Sequence, residues 1–345
     1  MSKRLKSAVL RERHATLARE NMLIGSSNHH PIVLACASND AYAMPLAATV
    51  RSVLENLGGN LPVHLFILDG GIRAAKKRRI ISSLNSYPVE IFWIQPSAKL
   101  LSNLPLSAQY PLAIYYRLLL PKIIPSTCKK AIYLDTDLIV VGDLEQLWQI
   151  DIQDHAILAV QDACQRYIHR AGGFSHAQKL EIPPESKYFN SGVLVINLDY
   201  WRTEKILERA IAYLQKNAQR SFNPDQDALN ALMVGKWGEL DPRWNQIHAI
   251  HGYASWQDSP YSQEVFDQVL HQPYIVHYTT PPKPWQTGCR HPRQDLFYEY
   301  LDKTAWAGWR ETLWRRAWRR LEKEIQMSDN PQQNSLAFHT KKCSV

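Results

Sequence analysis

The stretch Lys129-Lys130-Ala131-Ile132-Tyr133-Leu134-Asp135-Thr136-Asp137-Leu138-Ile139-Val140-Val141 decides how the rest of the chain is read. An apolar run ends in two carboxylates one residue apart, and a second apolar run follows. On an extended backbone alternate side chains share a face, so Asp135 and Asp137 converge on one point. Two anions at the end of a buried strand repel each other and lose hydration. A divalent cation relieves both costs. The segment reads as a metal site with a phosphate as its expected further ligand. The competing reading is a strand-end turn with two solvated aspartates.

Outward from this point, short apolar runs alternate with helical spacing. Residues 32–37, 63–68 and 89–94 read as strands, and 42–57 and 72–84 as helices, the first stopped by Gly58-Gly59. A helix over 111–119 precedes the aspartate strand. Further strands follow at 157–160 and 192–197, then helices at 203–217 and 225–232. Residues 236–277 are aromatic and irregular, 292–325 helical again, and the tail from 327 is polar. The pattern predicts an α/β domain with a mostly parallel central sheet and helices on both faces. Ligands of such sheets sit outside the carboxyl ends of the strands. We divide the chain into a basic tail (1–30, with a short helix over 7–20), a catalytic domain (31–290), a basic Trp-rich helical extension (291–326) and a disordered tail (327–345).

Composition excludes several classes. At 345 residues, with 45% hydrophobic and 21% charged content, the chain suits a soluble globular protein. Cys36, Cys128, Cys164, Cys289 and Cys343 lack paired or ligand-like spacing, which points to reduced thiols and a cytoplasmic setting. No run of about 18 apolar residues is present to span a bilayer, and the basic N-terminus lacks the apolar core of a secretory signal. The net charge of +8 is concentrated toward the two ends of the chain, so we expect no nucleic-acid partner.

Several other segments carry chemistry. Ala37-Ser38-Asn39-Asp40-Ala41-Tyr42 ends the first strand with small residues, with polar groups for a base or ribose, and with a ring that can stack. The same residues also suit a helix cap. Arg117 can pair with phosphate or hold a carboxylate in place. Asn190-Ser191-Gly192 reads as a polar turn before a buried strand, able to bond sugar hydroxyls. Asp225-Gln226-Asp227 begins a helix with more acid than capping requires. His277 offers a nitrogen ligand suited to manganese beside two carboxylates, though a lone histidine on a strand also reads as a satisfied core residue, and Lys283, held between prolines, offers a cation for phosphate.

Taken in order, Ser38 to Tyr42, Tyr133 to Asp137, Phe189 to Asn197, Asp225 to Asp227 and His277-Tyr278 through Lys283-Pro284-Trp285 resemble glycosyltransferase family eight, over about residues 31–300. That family includes bacterial lipopolysaccharide galactosyl- and glucosyltransferases and glycogenin. The resemblance implies a GT-A type nucleotide-sugar fold, Mn²⁺ (or Mg²⁺), a UDP-hexose donor carrying galactose or glucose, and transfer with retention to a glycan or glycolipid acceptor. By position it implies Asp135, Asp137 and His277 as metal ligands. Ala37, Asn39, Tyr42, Arg117, Asn190, Ser191, Thr280 and Lys283 are implied around the donor, and Asp162, Asp225 and Gln226 around the reacting sugar. Two departures stand out. The run Asn39-Asp40-Ala41-Tyr42 replaces the Asp-Asp-Asn-Tyr of many bacterial members, and Thr280 replaces the usual glycine of the His-to-Lys loop.

Because a glutamine is a poor nucleophile, the expected route is front-face, with the leaving phosphate accepting the acceptor's proton. Direct attack by Asp225 is the second choice. Trp306, Trp309, Leu313, Trp314, Ala317, Trp318 and Leu321 recur at helical spacing among arginines. That spacing predicts a helix lying on an anionic membrane through residues 306–321, unless some of its tryptophans pack on the domain. Two rivals remain: a phosphatase using the Asp-x-Asp pair, and a non-catalytic nucleotide-sugar or glycan-binding protein. The first leaves the later motifs unexplained, and the second does not need intact Asp135, Asp137, His277 and Lys283.

Overall fold

The computed structural model describes residues 31–59, 61–97, 112–170, 182–217 and 223–315. The basic segment 1–30 with its expected helix, and everything beyond 315, lie outside the described residues.

The strands are β1 (Ile32–Ser38), β2 (Val63–Asp69), β3 (Val89–Ile94), β4 (Lys130–Leu134), β5 (Leu138–Val140), β6 (Ile157–Gln161), β7 (Phe189–Asn197), β8 (Trp237–Glu239), β9 (Gln246–Ile247) and β10 (Ile275–His277). The main sheet runs β3-β2-β1-β4-β7-β6-β8. Its pairs are parallel except where β7 lies antiparallel between β4 and β6. The architecture is the mostly parallel GT-A type α/β fold. Alternation along the strands feeds two cores. Ile32, Leu34, Ile132, Leu134, Val193 and Val195 face one side, and Val33, Ala35, Ala131, Tyr133, Leu194 and Ile196 the other. Burial on both faces explains the near-continuous apolar runs in the sequence.

The reversal of β7 matters most for the site. An antiparallel strand brings its amino end to the edge where its parallel neighbours end. Leu134 pairs with Val193, and the Asp135 N–H continues the ladder to the Gly192 carbonyl at 2.8 Å. The start of β7 is thereby set beside the aspartate turn. Asn190, Ser191 and Gly192 are strand residues, all buried, and not the turn before a strand that their polarity suggested. Their side-chain and backbone groups are taken up by partners from other elements, so polarity here marks packing against polar neighbours.

A small second sheet, β5-β10-β9, lies beyond the aspartates, with β10 antiparallel to β5 and parallel to β9. The region 236–277, read as irregular, supplies β8, β9 and a helix at Gln263–His271 capped by Ser262. These strands are only two or three residues long, too short for a periodic signal.

The continuous helix expected over 292–325 does not form. A helix at Gln294–Asp302 ends in turns, and Gly308 adopts φ +73 with its N–H on Asp302 Oδ1. Trp306 turns inward to 4% exposure under the Arg79 guanidinium, and Trp309 packs beside it. Leu313 and Trp314 remain exposed, at 73% and 86%. Ala317, Trp318 and Leu321 lie outside the described residues.

Candidate active site

Asp135 and Asp137 occupy the turn between β4 and β5, so they converge because the chain bends and not because a strand alternates. The buried hydroxyl of Thr49 holds that turn from below, donating to the carbonyls of Leu138 at 2.7 Å and Thr136 at 3.2 Å. From the other side the Tyr278 N–H donates to the Asp137 carbonyl. His277, at the end of β10, is 3% exposed and points Nε2 at Asp137 Oδ1 (3.3 Å) and Asp135 Oδ2 (3.8 Å). Ligand atoms of all three residues lie within 4.8 Å of one another, the one such cluster found among the described residues.

Lys283 reaches into this cluster. Its Nζ donates to Asp137 Oδ2 at 2.7 Å and to the carbonyls of Tyr278 and Thr279. Burial pushes the Asp137 carboxyl up. Lys283 and His277 outweigh that and hold it well below the usual carboxylate range. Gly192 lies directly under the cluster. A Cβ there would stand 2.2 Å from His277 Cε1 and 2.8 Å from Asp135 Oδ2, so only glycine lets β7 pass.

Arg117 takes the carboxylate-holding role, twice over. Its Nη2 binds Asp135 Oδ1 at 2.8 Å, its Nε binds Asp225 Oδ2 at 2.9 Å, and Nη1 donates to the Ser191 carbonyl and hydroxyl. Tyr133 donates to the same Asp135 Oδ1 at 2.9 Å. Burial raises the Asp225 carboxyl to about 6; Arg117 opposes the rise and Asp135 adds to it.

The remaining sugar-side candidates form a lattice of amides. Gln226 Oε1 accepts from the Ser191 N–H (2.8 Å) and hydroxyl (3.2 Å), while its Nε2 donates to the Tyr188 oxygen. Tyr188 donates in turn to Asp227 at 2.6 Å. Asp162 Oδ1 caps its own turn through the Cys164 and Gln165 N–H groups, and Asp162 Oδ2 accepts from Asn190. Asn190 joins Asn245, and Asn245 joins His277 Nδ1.

The expected uridine end is less specific. Asn39 caps the short helix Asp40–Tyr42, accepting from the Ala41 and Tyr42 N–H groups, which is the bland reading of that segment. Tyr42 meets Trp285 edge-on at 5.6 Å. Its hydroxyl is raised by burial and by nearby Asp137 and Asp135, so it borders the acidic cluster. Ala37 lies near the end of β1, and Thr280 is exposed on the loop before Lys283.

Sequence reading missed Thr49, Tyr133, Tyr188 and Asn245. Only Tyr133 carried a signal, as a polar-tipped residue two positions before Asp135 in an otherwise apolar run.

Two carboxylate oxygens and an imidazole nitrogen face one another in a largely buried place, a donor set that suits a divalent cation.

Comparison with known proteins shows the family and the fold. The family model for glycosyl transferase family 8 matches residues 33–289. General stress protein A of Bacillus subtilis (strain 168) is 30% identical over 277 residues, covering 79% of this chain and 94% of that protein. A lipopolysaccharide 1,2-glucosyltransferase of Escherichia coli (strain K12) is 26% identical over 206 residues, covering 60% of this chain and 59% of its own. Among solved structures, the galactosyltransferase LgtC in complex with donor and acceptor sugar analogs has a similar fold. Its TM-score is 0.67 at 24% identity, covering 82% of this chain and 99% of that one.

Proposed function

The chain belongs to glycosyl transferase family 8, and from that premise we propose that it moves a hexose, galactose or glucose, from a UDP-sugar to a hydroxyl of a glycan or lipid-linked acceptor, with retention of configuration. The observation that carries this reading is the convergence of Asp135, Asp137 and His277 beside Lys283. Asp135, Asp137 and His277 would hold Mn²⁺ (or Mg²⁺), which would supply Lewis acidity for a departing diphosphate.

The protein's own residues do the rest. Lys283, already 2.7 Å from Asp137, adds a cation where leaving-group charge develops. Arg117 fixes Asp135 through Oδ1 and leaves Oδ2 turned toward His277. Asp225 is spent on Arg117, which favours a positioning role over direct attack. Gln226 is equally occupied: its carbonyl oxygen accepts two hydrogen bonds from Ser191, lowering an already weak nucleophilicity. Both facts favour the front-face route. Asp162 and Asn190 supply polar groups for the sugar.

We place the reaction in the cytoplasm. No helix among the described residues is long and apolar enough to cross a membrane. Exposed Leu313 and Trp314 beside Arg315 are the described point where a membrane bearing the acceptor would be met. The membrane element is tested by co-sedimentation with anionic vesicles at low salt.

The deciding experiment is UDP release from a panel of UDP-hexoses with Mn²⁺, run against p-nitrophenyl phosphate. Mn²⁺-dependent UDP release, abolished by EDTA, is the expected result. Phosphate release from the aryl ester with no UDP release would move the protein to the phosphatase class.

A further inference from the structure

We infer that Asn245 is a positioning residue that keeps His277 protonated at Nδ1, so that Nε2 is the nitrogen presented to Asp135 and Asp137. Asn190 and Asp162 in turn decide which way Asn245 faces. The inference deepens the reading of that cluster as a metal site and rests on it for its consequence.

The argument starts from groups whose roles cannot be exchanged. The Gly192 backbone N–H can only donate, and it donates to Asn190 Oδ1 at 3.0 Å. The Asp162 carboxylate accepts from Asn190 Nδ2 at 3.1 Å. Asp162 is itself pinned, since its other oxygen takes the N–H groups of Cys164 and Gln165 at 2.8 and 2.9 Å. These contacts settle which end of the Asn190 amide is oxygen. Asn245 sits 3.0 Å from that oxygen and must offer Nδ2 to it. Its own oxygen then faces His277 Nδ1 at 2.9 Å, so Nδ1 carries the proton. Nε2 is the nitrogen turned to the aspartates, 3.3 Å from Asp137 Oδ1 and 3.8 Å from Asp135 Oδ2, where a proton or a cation completes it.

The alternatives fail at one end or the other. The opposite tautomer sets the Nδ1 lone pair against Asn245 Oδ1. A flipped Asn245 satisfies that tautomer but sets its oxygen against Asn190 Oδ1. Exposure is 3% for Asn245, 3% for His277, 8% for Asn190 and 5% for Asp162, so water is poorly placed to rescue either clash. Local structure supports the lock. Asn245 ends the short helix Pro242–Asn245, capped by Asp241, and the next residues form β9, paired with β10 at His277. The pairing of β9 with β10 thus brings His277 and Asn245, the residue just before β9, together, and such an outer partner tunes metal affinity.

The test uses the full-length, metal-free protein labelled with ¹⁵N-histidine, His277 being assigned by its loss in His277→Gln. The expected spectrum has Nδ1 protonated. Asn245→Leu should mix in the Nε2–H tautomer and weaken Mn²⁺ binding, followed by the electron paramagnetic resonance of the free ion, by about 10–100-fold. Asn245→Asp keeps an acceptor for Nδ1–H but sets its second oxygen against Asn190 Oδ1, so it should keep Nδ1 protonated while unfolding at lower denaturant than wild type. An unprotonated Nδ1 in the wild type, or an unchanged His277 spectrum in folded Asn245→Leu, overturns the lock. Should Asn245→Leu not fold, the wild-type spectrum and Asn245→Asp decide. A wild type with the Nδ1–H signature but no Mn²⁺ binding upholds the lock and overturns the metal reading instead.

Discussion

The site has an acidic half and an amide half, joined where Asp135 pairs with Gly192. In the acidic half, Asp135, Asp137 and His277 turn acceptors toward one another, and Arg117 and Lys283 answer only part of that charge. In the amide half, donors and acceptors match along Asp162, Asn190 and Asn245, and along Ser191, Gln226, Tyr188 and Asp227. The first half is electrostatically incomplete and needs a cation from outside. The second is complete and rigid. The difference separates chemistry from geometry: unsatisfied charge binds the ion, and the satisfied lattice holds the ligands still.

Breaking the acidic half should cost most. Asp137→Ala or Asp135→Ala is expected to lower Mn²⁺-dependent UDP release by roughly 10³-fold; full activity in either variant with EDTA present would refute the metal reading. Next comes the seam. Gly192→Ala drives a methyl into His277 and Asp135. It should cost on the order of 10²-fold in Mn²⁺ affinity, read by titration, and normal affinity would mean that the strand shifts freely. Damage in the amide half away from Asn245 and His277 should show as stability. Tyr188→Phe removes the 2.6 Å bond to Asp227 and a partner of Gln226. We expect a loss of about 1–3 kcal/mol in denaturant unfolding, with less than tenfold change in turnover.

The smallest effect lies at the join with Asp225. Its folded pKa of about 6 stands above the ordinary carboxylate value of 3.8. The folded state therefore binds more protons than the unfolded state between those values, and stability falls as pH rises from about 4 to about 6. In Asp225→Asn this part of the slope disappears, so the melting-temperature difference between variant and wild type should change by a few degrees across that window. A constant difference from pH 4 to 7 would place the Asp225 pKa near its unfolded value.

Legibility divides along the same line. Asp135, Asp137, His277 and Lys283 stood out because isolated charges at strand ends are costly without a purpose. Asn190, Ser191 and Gly192 drew notice for their polarity, yet were read as a turn, because nothing local signals that a polar triplet will be buried inside a strand. Asn245 drew none. Its partners lie 32 and 55 residues away, and an asparagine after a tryptophan is unremarkable. The C-terminal tryptophans misled in the opposite sense: helical spacing was real on paper, but Trp306 found the core and Gly308 broke the turn.

By itself the sequence determined the main alternation of strands and helices up to about residue 232, the two-sided burial of the sheet and the identity of the charged residues, since strand period and isolated charge are properties of neighbours along the chain. Only the tertiary structure decided that β7 runs against β4, and with it which amides meet which ligands. That reversal brings Gly192 under His277 and starts the chain of hydrogen bonds that ends on Nδ1. An amide has no preferred partner until packing brings one within 3 Å, which is why its role could be read only after folding.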